Sequence, residues 1–200
     1  MKLILASNNT NKLRELRQLL CDMDIEVLSQ REAGCDFEVD ETGTTFAENA
    51  FLKADAVVKA TGIAAIADDS GLVVEALNGE PGVYSARYAP GGHDASDHDR
   101  NVYLLHKMEG IENREAKFVS SICCIFPDGS KICTEGECYG TIMHEIKGTG
   151  GFGYDRVFKP VGYEVGMAEI SADEKNAISH RGNALREFKM KLREKYGIDQ

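Results

Sequence analysis

The 200 residues include no tryptophan, no Cys-x-x-Cys pair and no apolar run near the roughly 20 residues of a membrane span. Positive charge is also scarce: 23 Lys and Arg face 33 Asp and Glu, a formal net charge of −10. A duplex nucleic-acid binder displaces counterions with a basic face, so no nucleic-acid partner is expected. A small anionic ligand is not excluded, because a pocket can be locally basic on an acidic surface. The apolar run at residues 2–6 is too short for the core of a signal peptide, so the chain reads as cytoplasmic, with no membrane partner. The cysteines (Cys21, Cys35, Cys123, Cys124, Cys133 and Cys138) lack zinc-ligand spacing and read as reduced, partly buried thiols. Cys123 and Cys124 are adjacent, so on a strand they point to opposite faces.

What remains is enough for a globular core, with 42% hydrophobic residues. There are no internal repeats. Strand-like runs occupy 2–6, 25–29, 63–67, 72–77, 116–126, 131–142 and 156–160, and helical runs about 11–21, 46–60, 97–108 and 182–196. Early alternation of the two predicts an α/β fold. Residues 116–142 read as a long antiparallel hairpin turning at Pro127-Asp128-Gly129, so the sheet should be mixed. Thr45 with Glu48 forms a capping box for the second helix, which Gly62 ends, and Asn49 and Lys53 share one of its faces. A second box, Ser171 with Glu174, opens a short helix.

Several stretches carry chemistry. In "LASNNTNKLREL", residues 5–16, a strand runs into Ser7, Asn8, Asn9, Thr10, Asn11 and Lys12 and then into a helix. Such junctions hold anions in α/β proteins, yet no glycine is present, so neither G-x-G-x-x-G nor the Walker pattern fits. In "AIADDSGL", residues 65–72, an apolar strand is expected to end at Asp68-Asp69-Ser70-Gly71. Neighbouring carboxylates repel unless a cation joins them, and Mg²⁺ favours one or two carboxylates with phosphates and water; a plain turn is the other reading. Asp40-Glu41 is a second acidic pair, ahead of the helix with Lys53, and reads equally as a solvated loop. "GTGGFGYD", residues 148–155, sets Phe152 and Tyr154 among glycines, which suits stacking on a base or a simple bulged loop. Lys175, His180 and Arg181 precede the last helix, where donors suit an oxyanion or a base carbonyl.

Taken together, "SNNTNKLREL", "ETGTTFAENAFLKA", "AIADDSGLVVEALNGEPGVYSARYA", "GTGGFGYD" and "KNAISHRGNAL" resemble, in order and over nearly the whole chain, the inosine triphosphate pyrophosphatase family. Arg156 departs from the family's usual proline after "FGYD". The resemblance implies one catalytic domain over residues 1–200. Its fold would be elongated and two-lobed, with a long central mixed sheet flanked by helices and an active cleft between the lobes. It also implies a homodimer, Mg²⁺, and hydrolysis of non-standard purine triphosphates (ITP, dITP, XTP) to monophosphate and pyrophosphate. By the same resemblance Ser7 to Lys12, Lys53 and Arg87 would hold phosphates. Asp69 would orient or deprotonate the attacking water and, with Glu41, hold the metal. Asp68 would support them, and Ser70 would touch substrate. Phe152 would stack on the purine beside Gly153, Tyr154 and Asp155, while Lys175, His180 and Arg181 would read the base edge.

Two other readings compete: a Maf-type pyrophosphatase for modified pyrimidine nucleotides, and a non-catalytic nucleotide-binding protein. The 175–181 motif argues against the first. Glu41, Lys53 and Asp69 together argue against the second, since a passive binder needs no water-activating carboxylate.

Overall fold

The computed structural model describes residues 1–35 and 37–197. In chain order the elements are β1 (Lys2–Leu5), α1 (Thr10–Leu19), β2 (Glu26–Ser29), α2 (Phe46–Thr61), β3 (Ala65–Val74), α3 (Asp97–Lys107), β4 (Glu115–Ile125), β5 (Lys131–Ile142), β6 (Phe158–Pro160), α4 (Ala172–Ile178) and α5 (His180–Tyr196). The strands form one six-stranded sheet in the order β2-β1-β3-β4-β5-β6. β1 runs parallel to β2 and β3, and β5 antiparallel to β6, so the sheet is mixed and the fold is α/β.

The helix boundaries follow local chemistry. Asn9 caps α1, its side chain accepting from the N–H groups of Asn11 and Lys12. Thr45 and Glu48 close the expected box on α2, which ends at Gly62 in the left-handed region at φ 66°. Ser171 and Glu174 do the same for α4. Ser96 and Asp99 form another box on α3. Each such cap contributes about 0.5–2 kcal/mol. The β4–β5 turn is a three-residue loop: Gly129, at φ 81°, donates to Phe126 O, and Phe126 N–H donates to Ser130 O.

One expectation is corrected. β3 does not stop at Asp68 but runs on through Asp69, Ser70 and Gly71 to Val74. The acidic pair looked like a terminator because ionised groups are costly on a buried strand. Here both carboxylates meet cations or donors from elsewhere in the chain, which removes that cost.

The chain divides into two compact units. The first comprises Met1–Asp69, Ser120–Gly136 and Arg181–Gln200. Side chains alternate along its strands, so two apolar clusters form on opposite faces. Leu3, Leu5, Ile66 and Ile122 pack with Leu16 and Leu20 of α1 and Phe188 and Leu192 of α5. Ile4, Ala65, Ala67 and Cys123 pack with Ala50, Ala54 and Val57 of α2. The second unit comprises Ser70–Val119 and Glu137–His180, and its core joins Leu72, Leu104, Met108, Phe118, Val157, Phe158 and Met167. No described helix is long and apolar enough to cross a membrane.

Candidate active site

The alternation of β3 sends its two carboxylates to opposite faces of the first unit. Asp68 shares the parity of Ile66 and enters the α1–α5 face; Asp69 shares that of Ala67 and enters the α2 face. Their surroundings differ accordingly. Asp68 is buried and accepts from Lys12 Nζ at 2.8 Å, Arg181 Nε at 3.0 Å and Ser120 Oγ at 2.5 Å. Burial alone would raise its pKa, but Arg181, Lys12 and the Ser120 hydroxyl together hold it well below the usual carboxylate range. Arg181 is almost wholly buried and spends a second arm on Glu15 at 2.9 Å. Burial opposes its charge, yet the Asp68 and Glu15 carboxylates push its pKa further up.

On the other face Lys53 of α2 brings two carboxylates onto one ammonium. Its Nζ lies 2.8 Å from Asp69 Oδ1 and 2.8 Å from Glu41 Oε1. Burial would lower the Lys53 pKa; Asp69 and Glu41 outweigh it and raise the value. Asp69 is raised as well, because burial outweighs the nearby Lys53 charge. Asn49, one helical turn before Lys53, is fully buried and joins loop to strand. Its Oδ1 accepts from Gly43 N–H at 2.8 Å, and its Nδ2 donates to Asp69 Oδ2 at 3.3 Å. The capping-box spacing thus fixes the Glu41 loop and Asp69 through one helix.

Lys12 and Lys53 arrive from the two faces at a common point, the Asp68 carbonyl oxygen, at 3.0 and 3.2 Å. Burial lowers the Lys12 pKa, Asp68 partly restores it, and the Arg181 and Lys53 charges lower it further. Two ammoniums on one acceptor, with two carboxylates beside them, put cationic donors and hard oxygen ligands at one place. Among described residues no group of three or more His, Cys, Asp and Glu could hold a metal ion. The Glu41–Asp69 pair, already gathered on one cation, offers hard oxygen ligands of the kind a divalent cation takes.

The junction at residues 7–12 is partly self-bonded. Asn9 N–H donates to Ser7 Oγ, the N–H groups of Asn11 and Lys12 donate to Asn9 Oδ1, and Arg31 N–H donates to Asn8 Oδ1. Asn8, Asn9 and Thr10 are exposed, while Ser7, Asn11 and Lys12 are half-buried.

In the second unit the glycine–aromatic loop is held from three sides. Buried Asp155 accepts from Phe152 N–H at 2.8 Å and from Lys175 Nζ at 2.6 Å, and that ammonium lies 4.4 Å from the centre of the Phe152 ring. Gly153 is gripped from the first two turns of α3. Asp97 Oδ2 accepts its N–H at 2.7 Å, and Asn101 Nδ2 donates to its oxygen at 2.9 Å. Tyr154 is buried, with its hydroxyl donating to Ser85 O at 2.9 Å. Burial raises its pKa, so the phenol stays protonated. Arg156 Nε donates to Gly148 O at 3.0 Å, closing the loop where the family pattern has proline. His180 stacks on Phe118 with ring centres 4.8 Å apart. Arg87 ends a short 3-10 segment, its guanidinium 5.0 Å from the Tyr84 ring centre, and half-buried Ser70 follows Asp69 on β3.

The sequence motifs therefore fall into two constellations. Lys12, Glu41, Lys53, Asp68, Asp69 and Arg181 gather in the first unit; Phe152 to Asp155, Lys175 and His180 belong to the second. Arg181, grouped by sequence with Lys175 and His180, lies on Asp68 and Glu15 instead. Ser120, Glu15, Asn49, Asp97 and Asn101 were not singled out as site residues by sequence. Of these, Asn49 had a signal, sharing a helical face with Lys53, and Asp97 lies inside the Ser96–Asp99 capping box.

Comparison with known proteins is concordant along the chain. Residues 3–191 match the model of the Ham1 family. A protein of Clostridium perfringens named dITP/XTP pyrophosphatase is 44% identical over 200 residues, covering 96% of this chain and 97% of that protein. The solved Ham1 protein of Staphylococcus aureus superposes with a TM-score of 0.89 at 40% identity, covering 98% of this chain and 100% of the other. That of Coxiella burnetii gives 0.90 at 40% identity, covering 97% and 99%. With the motifs, the sheet order and these matches in agreement, the chain belongs to the Ham1 family.

Proposed function

We propose that this protein is a nucleoside triphosphate pyrophosphohydrolase that converts ITP, dITP and XTP to the monophosphate and pyrophosphate, acting as one catalytic domain over residues 1–200. The observation that carries the reading is the gathering of Lys12, Lys53, Glu41 and Asp69 around one strand segment. Full-length likeness to relatives named dITP/XTP pyrophosphatase supports it. A triphosphate brings several negative charges, and breaking its α–β anhydride bond adds charge to the leaving pyrophosphate. The task is positioning and neutralisation. Ser7, Asn8, Asn9, Thr10, Asn11 and Lys12 take phosphate oxygens, with Lys53 and Arg87. Asp69 accepts the proton of the attacking water. Glu41 and Asp69 hold Mg²⁺, which when bound supplies Lewis-acid polarisation and charge neutralisation. Asp68, saturated by Lys12, Arg181 and Ser120, takes no proton and keeps Lys12 in place.

The purine stacks on Phe152, whose ring Asp155 and Lys175 hold in place; Gly153, Tyr154 and Ser70 shape the contact. Lys175 and His180 read the base edge, while Arg181, committed to Asp68 and Glu15, serves the phosphate side. Hypoxanthine and xanthine present O6, an acceptor, where adenine presents an amino donor. A donor aimed there pairs with the first two and opposes the third, and a required hydrogen bond of this kind discriminates by about 10⁴-fold. The reading includes a homodimer, measurable by light scattering, working on the cytoplasmic nucleotide pool.

The test is hydrolysis of ITP with Mg²⁺, with products separated and ATP and GTP run alongside. IMP plus pyrophosphate, with ATP nearly inert, is expected; guanine also carries O6, so the GTP rate reads a separate contact at the 2-position. IDP plus orthophosphate would overturn the assignment of the cleaved bond and of Asp69.

A further inference from the structure

Cys123 and Cys133 lie on the two arms of the β4–β5 hairpin with their sulfurs 2.9 Å apart. That is closer than the roughly 3.5–4.0 Å optimum for two non-bonded carbons, although sulfur is the larger atom. The register explains the meeting. The bond from Phe126 N–H to Ser130 O sets 126 opposite 130, and three steps along each strand set Cys123 opposite Cys133. Two steps further, Ser121 Oγ donates to Glu135 Oε2 at 2.8 Å, as the same register requires. An odd number of steps from a hydrogen-bonded pair gives a non-hydrogen-bonded one. Such pairs bring Cα atoms to roughly 4.5 Å, inside the roughly 4.4–6.8 Å span of disulfides. The two thiols differ in access: Cys133 is exposed, whereas Cys123 is buried against the α2 face with Ala50, Ala54 and Val57. Neither belongs to the constellations described above.

We propose that Cys123 and Cys133 are a redox modification site, a dithiol that a hydroperoxide converts reversibly to a cross-strand disulfide. Cys133, the accessible thiol, attacks the peroxide as thiolate. The O–O bond breaks, sulfur is oxidised by two electrons to the sulfenic acid, and hydroxide leaves to become water with the thiol's proton. Cys123 sulfur then attacks Cys133 sulfur. The S–S bond forms, the S–O bond breaks, and the departing hydroxide takes the Cys123 proton as a second water. Two thiols and one hydrogen peroxide thus give one disulfide and two waters. Burial, with the Cys133 contact, raises the Cys123 pKa, which suits it to resolving rather than initiating the reaction.

The experiment treats the reduced full-length protein with hydrogen peroxide, then denatures it in an alkylating agent and weighs it. Oxidation should leave four of the six thiols alkylatable and lower the protein mass by two hydrogens. Dithiothreitol should restore all six. Because Cys124 adjoins Cys123, the variants Cys124→Ser and Cys138→Ser must still cross-link, while exposed-site Cys133→Ser must not. Six alkylated thiols, a stable sulfinic acid on Cys133, or a cross-link that survives Cys133→Ser would each overturn the proposal.

Discussion

Replacing Asp68 by Asn tests whether this carboxylate is the counter-ion that the geometry describes. The change keeps volume but removes a buried charge that two cations share, Lys12 at 2.8 Å and Arg181 at 3.0 Å. It also turns an amide N–H₂ toward one of three donors. Breaking a buried pair by deleting one partner costs about 3–5 kcal/mol. Arg181 retains Glu15 and Lys12 retains the Asp68 carbonyl, so the lower half of that range is expected. Each kcal/mol moves the melting point of a chain of this size by roughly 2–4 °C, so a fall of about 6–16 °C follows. The chain has no tryptophan, so unfolding should be followed by far-ultraviolet circular dichroism against urea and temperature. The pH dependence gives a second reading of the same term. A carboxylate whose folded pKa is depressed stabilises the fold above its unfolded value, about 3.9. That stability is lost as pH falls through the lower folded value. Asp68→Asn should therefore cost most near neutral pH and progressively less in strong acid. A loss under about 1 kcal/mol at pH 7, or one that does not shrink with acid, would refute the account.

Other expectations are narrower. Asp69→Asn should fold, since Lys53 keeps Glu41 as partner, yet lose turnover by at least the ~10²–10⁴-fold of a general base; retained kcat would remove Asp69 from that role. Phe152→Ala should raise KM for ITP with little change in kcat, and an unchanged KM would move the stacking residue elsewhere. Asn101→Ala deletes the donor to Gly153 O and should raise KM while the protein still binds Mg²⁺ and pyrophosphate as before; a kcat-only effect would speak against loop positioning. Gly151→Ala would put a Cβ 2.1 Å from Asp155 Oδ2 at a residue with φ +70°, so it should disturb the Lys175–Asp155 pair and raise KM more than Asn101→Ala does. An innocuous Gly151→Ala would show that the loop is not held as described.

Local signals carried most of the fold. Thr45 with Glu48, Ser171 with Glu174, Gly62 and the Pro127–Gly129 turn each declare themselves within four residues, and each stands where expected. β3 was misread because its continuation past Asp68 depends on Lys12, Ser120 and Arg181, which lie far away in sequence. The same distance hid the grip on Gly153, since Asp97 and Asn101 are 56 and 52 residues from it. Chain proximity misleads in the opposite way at 180–181: neighbours in sequence, His180 stacks on Phe118 while Arg181 closes on Asp68.

The Asn49 amide has a bearing on how this sequence can drift over generations. It ties the Glu41 loop to Asp69 through Gly43, and there is no room for a side chain at that point. A Cβ on residue 43 would sit 2.6 Å from Asn49 Oδ1 and 2.7 Å from Glu48 Cβ. Glu48 cannot retreat without opening the cap of α2, and Asn49 cannot retreat without releasing Asp69. Inheritance at positions 43, 48 and 49 is thus conditional, each letter acceptable only while the other two stay. Exposed Thr42, between the acid and the glycine, is not bound by that packing condition.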